Sequence, residues 1–384
     1  MIPFIDIRAQ REAYKSEFLK AEQDVLDSGC YIGGTVVQAL EAELGQYTGA
    51  KHVITCGSGT DAITIALLAL GLEPEDEVIV PDFTFIAPAE CVMRLGGIPK
   101  FADIDAETLQ MSAESVEALI GAKTRGIIAV NLFGQCPNYS KIKEIAKKHG
   151  LWLVEDSAQA FGAKQNGTSA CTFGDISITS FYPAKPLGCY GDGGALFTHN
   201  DELAQKIRLI ANHGSRTRYV HEICGMNSRL DAIQAAVLRV KLRHLDEELK
   251  MRCENARKYD DFFAEYNNRT NSSSLSKGAA AKIVPQRIEH GNTSTYAQYT
   301  VLADNREAFL KLLEQAQIPY CIHYPAPLHE QPCFKKLAQT HESNSISQDC
   351  VASNAIEACK KVVSLPMCAF TNVEEIIAGL KKVM

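Results

Sequence analysis

The sequence predicts an α/β fold with a mostly parallel sheet, helices on both of its faces, and a smaller α+β unit at the C-terminal end. Three observations predict it. Short β-branched runs alternate with amphipathic segments from residue 52 to residue 198, the rhythm of βαβ units. At 384 residues the chain is too long for one simple core, so two domains are expected, 1–245 and 246–384. Glycines, acids and a lysine cluster just beyond the carboxyl ends of the predicted strands, where open α/β sheets collect ligands.

The elements follow in chain order. Arg11 to Ser28 has helical spacing and stops at Asp27-Ser28-Gly29; Tyr31-Ile32-Gly33-Gly34 is a turn. A second helix runs to about Tyr47, with Val37, Leu40 and Leu44 on one face. Strand 52–56 leads through Gly57-Ser58-Gly59-Thr60 into an apolar helix, Asp61 to Leu70. Strand Glu77 to Val80 ends at Pro81-Asp82-Phe83-Thr84-Phe85. Helix 87–95, strand 99–103, strand 126–131, helix 139–149 and strand 151–155 continue the alternation. Ile176 to Tyr182 reads as a strand, and Gly194 to Thr198 as a second, shorter one. Glu202 to Asn212 and Asp231 to Tyr266 are helical; the latter is long and charge-laced, as expected of a connector. Asn267 to Ala281, rich in Ser, Asn, Gly and Ala, reads as a surface loop. The remainder offers strands near 295–303 and 318–322 and helices near 305–316, 345–360 and 373–383.

Composition narrows the class. The chain is 46% hydrophobic and 22% charged, values of a globular protein. A net charge of -7 argues against nucleic-acid and membrane-surface partners. No apolar run is long enough to span a bilayer, and the start M-I-P-F-I-D-I-R lacks the features of a signal peptide. The thirteen cysteines form no C-x-x-C pair, and several, such as Cys56 and Cys91, lie in apolar runs. They read as small hydrophobes in a reducing cytoplasm, not as disulfide or metal ligands.

Lys185 is the centre of the functional reading. It lies between Pro183 and Pro186, on a glycine-rich turn after a strand, a place where desolvation lowers a lysine pKa and fits it for Schiff-base chemistry. Taken alone it also reads as an ordinary loop lysine. The loop Gly57 to Ala62 presents backbone N–H groups and a helix N-terminus, with the Thr60 hydroxyl added, which makes a phosphate cradle. It equally matches G-x-G-x-x-A, a dinucleotide fingerprint, with Asp82 about twenty residues on. Asp156, at a strand end, can face a protonated pyridine nitrogen or cap the segment Ser157 to Phe161. Phe83-Thr84-Phe85 offers an aromatic that stacks on a flat ring or fills the core. Arg229, ahead of a helix, can grip a carboxylate or pair with Asp231. Together these are the parts of a pyridoxal 5'-phosphate site, whereas a dinucleotide leaves Lys185 unused.

The chain resembles the DegT/DnrJ/EryC1/StrS sugar-nucleotide aminotransferases, which have the aspartate-aminotransferase fold (fold type I). The likeness runs through Tyr31 to Gly34, Gly59-Thr60-Asp61-Ala62, Thr84-Phe85, Glu155 to Ala160, Ser180 to Lys185 and Asn227 to Asp231. The resemblance implies that Lys185 carries the Schiff-base link and Asp156 faces the ring nitrogen. Gln159 and Phe85 would flank the ring, and Gly59, Thr60 and Ser180 would hold the phosphate. Asn227 would reach that phosphate from the other subunit of a homodimer. Arg229 would contact a carboxylate, and His323 and Tyr324 would lie near the sugar nucleotide. The turn K-P-L-G-C-Y-G-D-G-G looks most like the branch that aminates C3 of UDP-2-acetamido-2-deoxy-3-oxo-glucuronate, with L-glutamate as donor and 2-oxoglutarate as co-product. Such enzymes serve bacterial surface-polysaccharide pathways, including lipopolysaccharide and O-antigen. Amination at C4, a nicotinamide-dependent dehydrogenase and a non-catalytic regulator are the alternatives. Near the C-terminus Cys368-Ala369 replaces the His-Pro that often follows Ser364-Leu365-Pro366-Met367.

Overall fold

The computed structural model describes residues 2–272, 282–335 and 353–384. The chain opens with α1 (Ile7–Ala13), capped by the Asp6 carboxylate on the Ala9 N–H, and α2 (Lys15–Ser28), closed by Gly29 at φ 64°. The expected single helix from Arg11 is thus two helices, broken at Tyr14. Next come α3 (Gly34–Thr48), β1 (His52–Cys56), α4 (Gly59–Leu70), β2 (Glu77–Pro81), α5 (Ala87–Arg94) and β3 (Ile98–Ala102). They are followed by α6 (Ala113–Ala118), β4 (Thr124–Val130), α7 (Tyr139–His149) and β5 (Trp152–Asp156). A small hairpin, β6 (Lys164–Gln165) and β7 (Thr168–Ser169), precedes β8 (Ile176–Ser180), β9 (Gly194–Thr198) and α8 (Asp201–Ala211). A second hairpin, β10 (Ser215–Thr217) and β11 (Val220–His221), leads into α9 (Ala232–Ser272). The last elements are β12 (Ile283–Pro285), β13 (Tyr299–Ala303), α10 (Arg306–Gln315), α11 (Ser353–Lys361), β14 (Val362–Leu365) and α12 (Val373–Val383).

The large sheet has seven strands in the order β1-β9-β8-β5-β4-β2-β3. Only β9 runs antiparallel to its neighbours; the other pairings are parallel. Its strands alternate between two buried faces. Val78 and Val80 pack with Ile65, Ile178, Leu196 and Ile207 under α4 and α8, while Ile79 packs with Ile127, Ile142 and Val116 under α6 and α7. Such continuous burial is why these strands read as unbroken apolar runs. Because β9 is reversed between β1 and β8, the carboxyl ends of β1, β2, β5 and β8 all open onto one edge.

The second sheet, β12-β13-β14, is antiparallel. Its residues Val301, Val363 and Leu365 pack with Tyr259 and Phe263 of α9, Phe309 of α10 and Ile376 of α12. Each such fully buried large side chain contributes roughly 1.5–3 kcal/mol.

Several boundaries differ from expectation. The segment 318–322 is not a strand; Cys321 makes only an isolated bridge to Ser364. Pro319 within it and Pro325 just beyond it remove ladder donors. The loop expected from Asn267 is helical through Ser272, and residues 273–281 lie outside the described part. Asn267 holds the helix by donating to Ile283 O at 2.7 Å and accepting Ile283 N–H at 3.1 Å. The strand expected at 295–303 begins at Tyr299, and that expected at Ile176 to Tyr182 stops at Ser180. Of the helix expected near 345–360, the part described starts at Ser353. Among the described residues the cysteines are all free; Cys56 and Cys91 are buried, whereas Cys30 and Cys224 are exposed.

Candidate active site

Lys185 stands on the turn that leaves β8. Its N–H donates to Tyr182 O at 2.9 Å, and the Cys189 N–H returns to Phe181 O at 2.7 Å. A Cβ on Gly188 would sit 2.6 Å from the carbonyl oxygens of both Tyr182 and Pro183, so only glycine allows this fold-back. Burial pushes the Lys185 ammonium pKa down, and the Asp156 charge opposes that shift.

Asp156 is the last residue of β5 and is buried. One oxygen accepts the Ala158 N–H at 2.9 Å, so the capping role read from the sequence is present in part. Burial pushes its pKa up to about 6, against that hydrogen bond and the neighbouring Lys185. The residue before it points to the other face. Glu155 is fully buried and accepts from Asn131 Nδ2, Ser157 Oγ and Cys171 N on one oxygen, and from Phe173 N and Ser177 Oγ on the other, all at 2.6–2.9 Å. Sequence reasoning passed over Glu155; an acid inside a buried strand was the available signal.

The cradle is built where α4 meets β8. Ser58 Oγ accepts the Asp61 N–H at 3.0 Å, while the N–H groups of Gly59 and Thr60, first in the helix, have no intrahelical acceptor. A Cβ on Gly59 would lie 2.7 Å from Ser180 Cβ, so the missing side chain is what brings the Ser180 hydroxyl to the helix N-terminus.

A third wall is aromatic. Phe83 is core, edge-on to Phe133 at 6.2 Å and to Tyr324 at 6.0 Å. Phe85 is 55% exposed, with its ring centroid 6.5 Å from that of Tyr324. Between them Thr84 Oγ1 is buried without a hydrogen-bond partner. Gln159 Nε2 donates to the Tyr324 hydroxyl at 3.3 Å, and its oxygen accepts the Phe133 N–H at 2.7 Å. His323 Nδ1 lies 3.0 Å from Ser364 Oγ. Burial and the Lys185 charge both push the His323 pKa down.

Lys185, Asp156, Gly59, Thr60, Ser180, Gln159, Phe85, His323 and Tyr324 thus gather at one edge of the sheet. Asn227 and Arg229 do not join them in a direct contact. Both are exposed, on either side of buried Ser228, whose hydroxyl donates to Asp61 Oδ2 at 2.7 Å and accepts the Gly57 N–H at 2.9 Å. Arg229 Nη1 donates to Asn212 Oδ1 at 3.4 Å, not to Asp231. Asp82, which a dinucleotide would need on its ribose, is fully buried and bonded to His329.

These residues fit pyridoxal phosphate on three structural counts. A buried carboxylate with a raised pKa awaits a cation, open N–H groups and a hydroxyl converge where a Cβ would intrude, and a partly buried lysine of lowered pKa lies beside them. The comparisons agree. The chain is 45% identical over 332 residues to UDP-2-acetamido-2-deoxy-3-oxo-D-glucuronate aminotransferase of Pseudomonas aeruginosa, covering 86% of this chain and 88% of that one. It is 40% identical over 366 residues to a pleiotropic regulatory protein of Geobacillus stearothermophilus, covering 95% and 93%. Among solved structures it superposes on NtdA of Bacillus subtilis, which has its cofactor PMP bound, with a TM-score of 0.83 at 27% identity over 97% of this chain and 82% of that one. The profile of the DegT/DnrJ/EryC1/StrS aminotransferase family matches residues 12–381, and the chain belongs to that pyridoxal phosphate-dependent family.

Proposed function

We propose that this protein transfers the amino group of L-glutamate to the C3 keto group of UDP-2-acetamido-2-deoxy-3-oxo-glucuronate. The observation that carries the catalytic part is Lys185 and Asp156 within each other's electrostatic reach beside the α4 cradle. The P. aeruginosa relative supports the choice of sugar. Surface-polysaccharide synthesis of the lipopolysaccharide or O-antigen type, in the cytoplasm, is the setting we infer. We place the domain boundary near residue 245, inside α9, where its packing passes from Leu245 in one core to Ala256 in the other.

The cofactor supplies an electron sink for the bond broken at the donor Cα. The chain supplies the rest. The Gly59 and Thr60 N–H groups and the Ser180 hydroxyl would hold the phosphate, with Asn227 of a second subunit completing the cradle. Gln159 and Phe85 would flank the ring. The Asp156 carboxylate would keep the ring nitrogen protonated by offering it a buried anion. Lys185 Nζ takes the proton from the donor Cα and later returns one to sugar C3; burial lowers its pKa and so favours the free amine that a base requires. His323, with its pKa also pushed down, stays neutral beside it and adds no competing cation. Arg229 is the group we assign to a carboxylate, of the sugar or of the donor.

The test is mass spectrometry of products formed from UDP-linked 3-oxo and 4-oxo sugars with glutamate. The C3 amine is the expected product; a C4 amine would replace the substrate reading. Lys185→Ala is expected to lose roughly a thousand-fold or more in turnover while keeping the fold. A variant with near-normal turnover would remove the lysine from the chemistry. Wild-type protein that exchanges nitrogen with no amino donor would favour a regulatory role.

A further inference from the structure

The proposed chemistry gives no task to buried Asp82 and its half-buried partner His329. Asp82 follows β2 and has no exposed surface. Its Oδ2 lies 2.6 Å from His329 Nδ1, its Oδ1 accepts the His329 N–H at 2.9 Å, and its carbonyl accepts the Leu328 N–H at 2.8 Å. Three bonds from one residue therefore pin Leu328 and His329 to the end of an interior strand. A carboxylate this deeply buried is costly unless its oxygens are satisfied, so the pin defines one position rather than a range.

Two arms leave the pin. Downstream of Asp82 run Phe83, Thr84 and Phe85; upstream of His329 lie Tyr324 and Pro325. The arms meet again at Tyr324, whose ring is 6.0 Å from Phe83 and 6.5 Å from Phe85 and whose hydroxyl accepts from Gln159. The closed circuit runs from the strand end, through the aromatic rim, to Tyr324, whose neighbour His323 feels the Lys185 charge, and back. Phe85 and Pro325 form its exposed outer part. A small amino acid needs only the inner part, near Lys185. A sugar nucleotide must also extend across the rim.

We propose that Asp82 and His329 are positioning residues for the sugar-nucleotide half of the reaction, holding the Phe85–Tyr324 rim in register with Lys185. The inference rests on the sugar-nucleotide reading above. Neutral imidazole with its proton on Nδ1 donates to Asp82 as imidazolium does, so the pin holds on both sides of the His329 titration. The charged groups around it are Asp82, Glu330, 4.0 Å from Nε2, and Lys335.

The two half-reactions separate the proposal from a merely structural role. Bleaching of the cofactor band by glutamate reads the first, and its return on adding the keto sugar nucleotide reads the second. His329→Ala is expected to lower kcat/KM for the sugar nucleotide about tenfold, through KM, and to leave the glutamate half within about twofold. His329→Asn, whose amide can donate to Asp82, is expected to recover most of the loss. Both halves unchanged, or both falling by the same factor, would overturn the proposal, as would a His329→Asn variant no better than His329→Ala. Wild-type protein that bleaches with glutamate but never regains colour with a UDP-linked keto sugar would refute the substrate reading instead.

Discussion

Asp156 and Glu155 are neighbours in β5, yet the pleat sends them into opposite surroundings. Glu155 is satisfied by five donors, whereas Asp156 has one N–H and the nearby Lys185. Asp156, the acid we assign to the cofactor, is the less satisfied one, and burial lifts its pKa to about 6. A carboxylate whose folded pKa is raised penalises the fold as it ionises. In cofactor-free protein the penalty is absent below the ordinary value of about 3.9, grows as pH rises, and is complete above about 6. Asp156→Asn removes that charge and keeps an oxygen for the Ala158 N–H. The cofactor-free variant is expected to be more stable than the parent at pH 7.5, by on the order of 1–3 kcal/mol, and equal to it near pH 4. Thermal unfolding at the two pH values measures this, and an unchanged midpoint at pH 7.5 would contradict it. The loaded variant should turn over at least about a hundred-fold more slowly. Asp156 and Lys185 were legible in the sequence because strand ends mark them. The partners of Glu155 were not, since residues 131, 157, 171, 173 and 177 converge only in the fold.

Helices and strands place these groups through close approaches that a sequence shows only as glycine. The α4 N-terminus touches β8 because Gly59 has no Cβ. Gly59→Ala keeps helix-compatible backbone but forces Ser180 and the first turn apart. Cofactor affinity is expected to fall about tenfold or more, with far-ultraviolet circular dichroism unchanged. Fluorescence titration with pyridoxal phosphate is the measurement, and parental affinity would show that the cradle lies elsewhere. Elements of the large sheet were legible because each strand is apolar on both faces. The small unit was harder to read. Tyr320-Cys321-Ile322 has strand composition, but flanking prolines leave a single bridge to Ser364. Asn267 to Ser272 has loop composition, but its hydrogen bonds to Ile283 extend the helix. In the first case a neighbouring breaker overrode strand composition, and in the second a tertiary partner overrode local preference.

The whole molecule is tied together by α9, whose 41 residues span about 60 Å and join both cores. The N-terminal segment reinforces the tie. The Met367 N–H donates to Phe4 O, and buried Cys368 accepts the Asp6 N–H at 3.4 Å, so the Cys368-Ala369 departure lies under this segment. One chain still leaves the proposed site short of a part. Asn227 is exposed, and so are Tyr31, Ile32, Tyr219 and Val220, large apolar groups that a monomer gains nothing by presenting to water. In the proposed homodimer each site takes Lys185 from one subunit and Asn227 from the other. Chains carrying Lys185→Ala and chains carrying Asn227→Asp should then be nearly inactive alone. In a hybrid of the two, one site collects both substitutions and the other collects neither. Random reassortment of equal amounts makes half of the dimers hybrid, so about a quarter of parental activity should return. Were Lys185 and Asn227 to serve the same subunit's site, every site in every dimer would carry one substitution. Co-refolding the two variants and assaying the mixture would then restore nothing, and the shared site would have to be abandoned.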